Sequence, residues 1–297
     1  MAAPSIPFDD RAGVIWFDGA LVPWRDAKIH VLNHGLHYAS VVFEGVRVYN
    51  GRIFKCEEHT ARLFKSAEVL GMTIPYTEAQ INDACRDMVK ASKLANAYIR
   101  PICWRGSEMM AVAAQATKIH TAIAVWEWPS YFTPEARLRG LRLAWAPYKR
   151  PSPETEPVHA KAAGLYMICT ISKHAVEAKG YDDALMLDYR GRLAESTGSN
   201  LFLVQNGELH TPDPDCFLNG ITRQTVVKLA RAKGIEVIER HIKPEELTGF
   251  AECFLTGSAA EVTPVSEIGE YRFTPGKLSL ALMDDYARMV RRETVHA

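Results

Sequence analysis

The chain has 297 residues, with 35 basic and 35 acidic side chains and therefore a formal net charge of zero. That length can bury the core of one large domain or of two modest ones, and the balanced charge argues against nucleic acid or an anionic membrane as a partner. A hydrophobic share of 47% and a charged share of 24% are typical of a soluble globular protein.

The N-terminal segment MAAPSIPFDDRAG lacks the basic region and apolar run of a secretory signal peptide. No uncharged apolar run approaches the length of a membrane span. The cysteines form no C-x-x-C pair and have no close histidine partner, so we expect reduced thiols rather than a disulfide framework or a metal site. They are Cys56, Cys85, Cys103, Cys169, Cys216 and Cys253. These features predict a cytoplasmic protein.

Hairpins and helices are predicted in the first part of the chain. VIWFDGALVPW and VRVYNGRIF carry Asp-Gly or Asn-Gly between β-prone runs, which is the strongest short-range hairpin signal. EEHTARLFKSAEVLG has an amphipathic helical pattern, with Gly71 as the residue that follows the helix. TEAQINDACRDMVKASKL opens with a capping box of Thr77 and Gln80.

A domain boundary is predicted at WPSYFTPEARLRG, between the strand patterns HTAIAVWEW and LRLAWAPY. Proline, small polar residues and mixed charges are typical of a linker. We therefore divide the chain into a smaller α/β domain over 1–130, an interdomain linker over 131–140 and a larger domain over 141–297.

The second part of the chain has similar signals. GLYMICTISKHAVEAKG indicates a buried helix closed by Gly180, and LFLVQNGELH is a third hairpin pattern. TRQTVVKLARAKG is a short amphipathic helix that ends at Gly234, and a last helix is predicted from about Lys277 to Arg292. Neighbouring strands of this kind favour antiparallel or mixed sheets over a regular βαβ succession, so the expected fold class is α+β (mixed α/β).

One lysine stands out. Lys161 lies in EPVHAKAAGLYM among small and apolar residues, with no partner near it in sequence. A surface lysine fits such a place. A lysine nucleophile fits it too, because burial lowers the pKa of an amine and activates it.

Two glycine turns can bind an anion. In LNGITRQTVVKLA the turn 220–222 opens a helix, whose free N–H groups and dipole favour a phosphate. Taken alone, a plain helix start capped by Asn219 or Thr222 is the better interpretation. In LTGSAAEVTP the turn 256–258 allows close approach of an anion, or is merely a tight strand-to-loop turn.

Other polar residues leave more than one interpretation open. Glu195, at a strand end in GRLAESTGSNLF, is a catalytic acid or base, a partner for a heterocycle nitrogen, or a solvated turn residue. His34 and His37 have helical spacing, but no third ligand of suitable spacing follows, so a structural role is favoured and no metal is predicted. The chain has no G-x-G-x-x-G, P-loop or G-x-S-x-G motif, which argues against dehydrogenases, NTPases and serine hydrolases.

With Lys161, Glu195, NGITR and TGSAAEVTPV in this order, the chain resembles the branched-chain amino acid aminotransferases, class IV enzymes of fold-type IV that use pyridoxal 5′-phosphate (PLP). The resemblance runs from IWFDGALVPWRDAKIHVLNHGLHYASVVFEGVRVY through EEHTARLFKSA, AYIRP, AKAAGLY, AESTGSNLF and GITRQ to GSAAEVTPV. It implies a smaller N-terminal α/β domain and a larger, PLP-anchoring C-terminal domain of mixed or antiparallel β-structure with flanking helices.

The resemblance also implies roles for single residues. Lys161 matches the lysine that holds PLP as a Schiff base and shuttles the substrate proton, Glu195 the carboxylate at the pyridine nitrogen, and Tyr166 the tyrosine at the phenolate oxygen. The implied phosphate cradle is Arg62, Ile221, Thr222 and Ser258, where the family often has threonine in place of Ser258. The implied substrate-side residues are Tyr38, Phe43, Arg47, Tyr98, Arg100, Trp128, Tyr131 and Ala259.

In the family some substrate-side residues reach across from a neighbouring subunit, so the resemblance implies a homodimer or a higher homo-oligomer. The pair Met109-Met110, in the part that aligns least securely, is either a hydrophobic lip over the substrate pocket or ordinary packing.

The implied reaction moves an amino group between branched-chain L-amino acids (Leu, Ile, Val) and 2-oxoglutarate in two half-reactions. Arg100 is our candidate for the second carboxylate of glutamate. D-amino acid aminotransferases, (R)-selective amine transaminases and aminodeoxychorismate lyases would keep Lys161 and Glu195, but AYIRP and VVFEGVR favour the branched-chain enzymes. A non-catalytic PLP-binding protein and a structural interaction protein are the alternatives from other classes.

Overall fold

The computed structural model describes residues 6–128 and 134–291. The chain divides into two compact units. Unit 1 contains the residues up to 129 together with 160–164, and unit 2 contains 130–159 and the residues from 165 onward. The predicted linker over 131–140 holds a short helix, Pro134–Arg139, in unit 2.

Unit 1 contains an antiparallel sheet and three α-helices in its described part. The strands are β1 (Val14–Phe17), β2 (Ala20–Pro23), β3 (Val41–Phe43), β4 (Val46–Tyr49), β5 (Arg52–Ile53), β6 (Ala97–Arg105) and β7 (Ile119–Glu127). The helices are α1 (His34–Tyr38), α2 (Cys56–Val69) and α3 (Glu78–Ser92), with a 3₁₀ turn at Trp24–Asp26. The sheet order is β2-β1-β7-β6-β4-β5, and β3 also pairs with β6.

The local signals of the sequence are realised in unit 1. Both predicted hairpins form, with Phe17 opposite Ala20 and Tyr49 opposite Arg52. Helix α3 begins with the predicted capping box. It packs residues Ile81, Ala84, Cys85, Met88 and Val89, all at helical spacing, against apolar residues of β4, β6 and β7.

Unit 2 contains a mixed sheet. Its strands are β8 (Leu141–Trp145), β9 (Asp183–Leu187), β10 (Leu193–Ser196), β11 (Asn200–Gln205), β12 (Glu208–Pro212), β13 (Val237–Arg240), β14 (Glu252–Gly257), β15 (Glu261–Ile268) and β16 (Tyr271–Arg272). Its helices are α4 (Pro134–Arg139), α5 (Met167–Glu177), α6 (Ile221–Ala232) and α7 (Lys277–Arg291), and 3₁₀ turns occur at Ala163–Tyr166 and Pro244–Gly249.

The sheet order in the described part of unit 2 is β10-β9-β8-β15-β14-β11-β12-β13, with β16 beside β15. Three pairs are parallel, β8 with β9, β8 with β15, and β12 with β13. The third predicted hairpin forms β11 and β12, with Gln205 opposite Glu208. The prediction of antiparallel or mixed sheets is confirmed.

The helices of unit 2 confirm two predictions and correct one. Helix α6 ends just before Gly234, which has a positive φ of 74°, and α7 lies within one residue of its predicted bounds. The prediction that the helix after Lys161 is buried is wrong. A 3₁₀ turn precedes α5, only one face of the helix is buried, and Met167 is 65% exposed.

The six cysteines all lie in the described part of the chain, where each is free and buried. No helix in the described ranges is both long and apolar enough to cross a membrane.

Candidate functional site

A buried carboxylate organises one group of polar residues in unit 1. Glu44 follows β3 and is fully inaccessible to solvent. Its Oε1 accepts from Nε of Arg62 at 2.6 Å, and its Oε2 accepts from Nη2 of Arg62 at 2.9 Å and from Nδ1 of His59 at 2.6 Å. Arg62 and His59 are one helical turn apart on α2, so both reach the same carboxylate.

The charge state of this group follows from its surroundings. Burial would raise the pKa of Glu44, but the charge of Arg62 and the hydrogen bonds from Arg62 and His59 lower it far below its ordinary value. Burial lowers the pKa of His59, and Glu44 opposes that shift only in part. At neutral pH, Glu44 is therefore ionised, and His59 is neutral with its proton on Nδ1.

Lys161 lies beside this group within unit 1. Its backbone N–H donates to Oγ of Ser66 on α2 at 2.9 Å, and its carbonyl accepts from the N–H of Phe43 at 3.2 Å. Burial lowers the pKa of the Lys161 amine to about 8, and the charge of Arg62 lowers it as well, whereas Glu44 acts in the opposite direction. The amine is therefore far easier to deprotonate than that of an ordinary lysine.

The structure brings several of the predicted substrate-side residues together with Lys161. Nζ of Lys161 lies 4.8 Å from the ring centroid of Phe43, and the guanidinium carbon of Arg100 lies 4.7 Å from the same centroid. Nη2 of Arg100 donates to Oη of Tyr98 at 3.4 Å, and the ring of Tyr98 lies 5.0 Å from that of Trp128. An amine, a guanidinium and aromatic walls thus share one region of unit 1.

Gly45 makes the position of Tyr98 possible. A Cβ atom on Gly45 would lie 1.8 Å from Oη of Tyr98, so a larger residue would displace the phenol. Because Tyr98 is buried and packs against Trp126 as well as Trp128, its ring has little room to yield.

Of the other predicted substrate-side residues of unit 1, Arg47 lies opposite Tyr98 in the pairing of β4 with β6. Tyr38 ends α1, is 45% exposed, and stacks on His34 at 4.6 Å. Arg47 is buried on β4, with its guanidinium 4.9 Å from the ring of Tyr49. Tyr131 lies outside the described residues. In the Met109-Met110 pair, Met110 is exposed and Met109 is partly buried.

In unit 2, Glu195 is a partly buried carboxylate on β10 that contacts Arg150 and Asn200. Its Oε1 lies 3.4 Å from Nε of Arg150, and its Oε2 accepts from Nδ2 of Asn200 at 3.1 Å. Arg150 is itself buried and donates to the carbonyl of Leu165. Burial would lower the pKa of Arg150, but the charge of Glu195 and the neighbouring Tyr166 raise it, so the guanidinium stays charged.

Helix α6 begins at a glycine. Gly220 is the N-cap residue, and no side chain caps the helix, so the expected caps Asn219 and Thr222 do not act as such. Oδ1 of Asn219 instead accepts from Nη1 of Arg223 at 3.0 Å. The first helical residues, including Ile221 and Thr222, are nevertheless buried. A buried helix start without a cap is suited to an anion.

The glycine turn after β14 adds small hydroxyl residues. Ser258 and Ala259 follow Gly257 and are partly buried. Oγ1 of Thr256 is buried, and no hydrogen-bond partner for it occurs among the described residues. A Cβ on Gly257 would lie 2.8 Å from Oγ of Ser199, so a larger residue at this strand end would displace that hydroxyl.

Two possible metal-binding groups have other partners. Nε2 of His34 and Nε2 of His37 each lie 2.9 Å from a backbone carbonyl, of Ala111 and Val31 respectively. In unit 2, ligand atoms of Asp188, Asp215 and Cys216 lie within 4.8 Å of one another. Arg190 bridges the two carboxylates of that cluster at 2.8 Å or less, which accounts for their proximity without a metal.

Sequence reasoning missed four residues that hold the predicted ones in place. They are Glu44 and His59 in unit 1, and Arg150 and Asn200 in unit 2. Glu44 stood in the quoted motif VVFEGVR, and a charged residue between apolar strand positions was the available signal. Nothing local to the sequence distinguished the other three.

Comparison with known proteins supplies the family context. The model of the amino-transferase class IV family matches residues 41–268. A branched-chain-amino-acid aminotransferase of Pseudomonas aeruginosa is 41% identical over 272 residues, which cover 90% of this chain and 89% of the relative.

Solved structures agree over nearly the whole chain. A branched-chain aminotransferase of Thermoproteus uzoniensis with norvaline matches with a TM-score of 0.90 at 33% identity, covering 95% of this chain and 97% of that one. The T.th. branched-chain amino acid aminotransferase with pyridoxamine 5′-phosphate matches with a TM-score of 0.91 at 37% identity, covering 95% and 96%. The same T.th. protein in complex with N-(5′-phosphopyridoxyl)-L-glutamate matches with a TM-score of 0.90 at 36% identity, again covering 95% and 96%. The predicted fold class is confirmed.

The lowered pKa of Lys161 predicts that its acylation has a midpoint at a lower pH than that of an ordinary lysine. Because the pKa is lowered to about 8, the neutral amine predominates above that pH, whereas an ordinary lysine reaches this state near pH ~10.4. We expect acetic anhydride labelling of Lys161 in the cofactor-free protein to level off above about pH 9. The Lys161 peptide in urea, labelled identically and read by mass spectrometry, is the control. Coinciding midpoints in the folded and unfolded chains would contradict the prediction.

Glu44→Gln tests the buried ion pair. Loss of the carboxylate from a buried pair should lower the free energy of unfolding by about 3 kcal/mol in chemical denaturation. Since Glu44 raises the pKa of Lys161, the labelling midpoint should also move to lower pH. Glu57→Gln is the matched control on α2, because Glu57 forms an exposed pair with Arg86 and should contribute less than about 1 kcal/mol. An unchanged Lys161 midpoint in Glu44→Gln would refute the electrostatic link.

Proposed function

The chain belongs to the branched-chain-amino-acid aminotransferases of class IV, and from this premise we propose that it transfers the amino group between branched-chain L-amino acids and 2-oxoglutarate with PLP as cofactor. The observation that carries the proposal is the position of Lys161. Its amine has a lowered pKa and lies over Phe43, whose ring also contacts Arg100. A lysine nucleophile and a cation for a carboxylate are therefore neighbours.

The residues present fit PLP, which carries an aldehyde, a phenolate, a ring nitrogen and a phosphate. Lys161 would hold the aldehyde through its amine. Glu195, held by Arg150 and Asn200, is suited to a protonated ring nitrogen. Tyr166 would bind the phenolate oxygen. The uncapped start of α6 is suited to the phosphate dianion. The proposed phosphate ligands are Arg62, Ile221, Thr222 and Ser258.

Bound PLP supplies an electron sink for the substrate's Cα carbanion, and the protein supplies proton transfer and orientation. Lys161 must be neutral to accept the Cα proton. With a pKa of about 8, roughly one amine in ten is neutral at pH 7, against fewer than about one in a thousand for an ordinary lysine. A base whose pKa lies near the working pH transfers protons efficiently in both directions.

Both substrates use the same region in alternation, so the kinetics are ping-pong. Phe43, Tyr98 and Trp128 provide apolar walls for an aliphatic side chain. Arg100 provides the cation for the second carboxylate of glutamate and 2-oxoglutarate. The T.th. relative, solved with N-(5′-phosphopyridoxyl)-L-glutamate and with 4-methylvaleric acid, supports binding of both kinds of side chain by one protein.

The alternative within this fold is a D-amino acid or (R)-amine transaminase. The names of the relatives favour branched-chain amino acids as substrates. We further propose a cytoplasmic homodimer or higher homo-oligomer, in which the exposed Tyr38 serves a neighbouring subunit's site. The proposed domain limits remain 1–130, 131–140 and 141–297. The remaining proposed substrate-side residues are Arg47, Tyr131 and Ala259.

A substrate panel tests the function. We expect turnover of L-leucine, L-isoleucine and L-valine with 2-oxoglutarate, and rates at least about a hundredfold lower with D-alanine and (R)-1-phenylethylamine, because a pocket built for one arrangement of groups at Cα misplaces the other. Borohydride reduction followed by peptide mapping should find the phosphopyridoxyl group on Lys161. Preferred turnover of D-alanine or the (R)-amine would establish the alternative, and label on another lysine would overturn the site assignment.

Arg100→Ala tests the dual role of the substrate pocket. A lost hydrogen bond to a charged group should lower kcat/KM for glutamate about 10- to 100-fold. It should lower kcat/KM for leucine only a few-fold, because leucine has no second carboxylate. Arg100→Lys, which keeps the charge, should restore part of the glutamate activity. Equal effects on glutamate and leucine in half-reaction kinetics would show that the assignment is wrong.

A further inference from the structure

Asn200 connects three segments of unit 2. Its Nδ2 donates to Oε2 of Glu195 at 3.1 Å and to the carbonyl of Leu218 at 3.0 Å, and its Oδ1 accepts from the N–H of Gly220 at 3.1 Å. As the first residue of β11 it also lies opposite Glu195 on β10 and Thr256 on β14. The side chain thus reaches both Glu195 and the start of α6.

The partners fix the orientation of the Asn200 carboxamide. The Glu195 carboxylate and the Leu218 carbonyl can only accept, and the Gly220 N–H can only donate. A flipped carboxamide would therefore lose all three hydrogen bonds. Asn200 is only 4% exposed, so water does not readily replace them.

Gly220 allows the carboxamide to approach the turn. A Cβ atom on Gly220 would lie 2.3 Å from Oδ1 of Asn200, well inside contact distance. Glycine at this position is not required by backbone conformation, since its φ is −60°. Glycine is needed at this position because a side chain there would overlap the carboxamide of Asn200 at the start of α6.

We propose that Asn200 is a positioning residue that couples the carboxylate of Glu195 to the anion-binding turn 220–222. The inference rests on the proposed function, in which Glu195 binds the ring nitrogen of PLP and the turn binds its phosphate. Asn200 fixes the position of the Glu195 carboxylate relative to the turn 220–222, although Asn200 itself has no proposed contact with the cofactor. Its loss should weaken recognition of the ring nitrogen and of the phosphate together.

A purely structural role predicts something different. If Asn200 only satisfied buried polar groups, its replacement would lower stability and leave the relative affinities for cofactor analogues unchanged. Asn82 is the matched case in unit 1. It is buried on α3, and its Oδ1 accepts from Oγ1 of Thr60 at 2.6 Å and from Sγ of Cys56 at 3.4 Å.

The test measures dissociation constants of three ligands with the cofactor-resolved full chain. The ligands are PLP, pyridoxal, which lacks the phosphate, and 1-deaza-PLP, in which a CH group replaces the ring nitrogen. The ratio of pyridoxal to PLP dissociation constants is the phosphate preference, and the ratio of 1-deaza-PLP to PLP constants is the nitrogen preference. Thermal unfolding of each variant is recorded in parallel.

For Asn200→Ala we expect both preferences to fall about tenfold, because each depends on a hydrogen bond to a charged group. Thr222→Ala should reduce the phosphate preference alone. Asn82→Ala should lower the unfolding temperature and leave both preferences unchanged. Retention of either preference in Asn200→Ala would overturn the coupling.

Gly220→Ala gives an independent arm if Asn200→Ala does not fold. The added methyl group pushes against Oδ1 of Asn200 from the turn 220–222. Coupling predicts that this change also reduces the nitrogen preference, and an unaffected nitrogen preference would overturn it. A wild-type chain without either preference would instead overturn the proposed cofactor site, and the coupling with it.

Discussion

The buried ion pair between Glu44 and Arg62 is the constraint on which the chemistry of Lys161 depends. A guanidinium close to an amine lowers the amine's pKa, and a carboxylate raises it. Burial is the largest cause of the lowered pKa of Lys161, about 8, and Arg62 and Glu44 act on it in opposite directions. His59 adds a third hydrogen bond to Glu44 without adding a charge, because burial keeps the imidazole neutral.

The parts of the fold that the sequence predicted are those determined by local backbone energetics. Asx-Gly turns, a capping box and helix-ending glycines act over a few residues, so they are visible in a single sequence. The pairing of β8 with β15 is not visible in a single sequence, because only tertiary packing places Leu141 opposite Val265. The wrong prediction for α5 has a similar origin, since an apolar composition does not tell which face of a helix is covered.

The residues of the candidate site also divide into those that the sequence predicted and those that only the structure reveals. Motif order and resemblance identified Lys161 and Glu195, which carry the proposed chemistry themselves. Most of their supporting residues escaped prediction because a contact between distant positions marks them, although Asn200 is close to Glu195 in sequence. Glu44 and Arg62 are 18 residues apart, and α5 and β9 lie between Arg150 and Glu195 in the chain. A single sequence records the identity of each residue but not these encounters.

The partners of Glu195 differ from those of Arg62 in a way that suits the cofactor-binding roles proposed for them. Arg62 is held by the opposite charge of the Glu44 carboxylate, which fixes the position of the guanidinium and offsets its positive charge. Glu195 contacts a charged partner, Arg150, at 3.4 Å and a neutral partner, Asn200, at 3.1 Å. A second cation in the place of Asn200 would neutralise the carboxylate further, and a second carboxylate would repel it. A neutral amide orients Glu195 and adds no charge that would compete with the cationic ring nitrogen of the proposed cofactor.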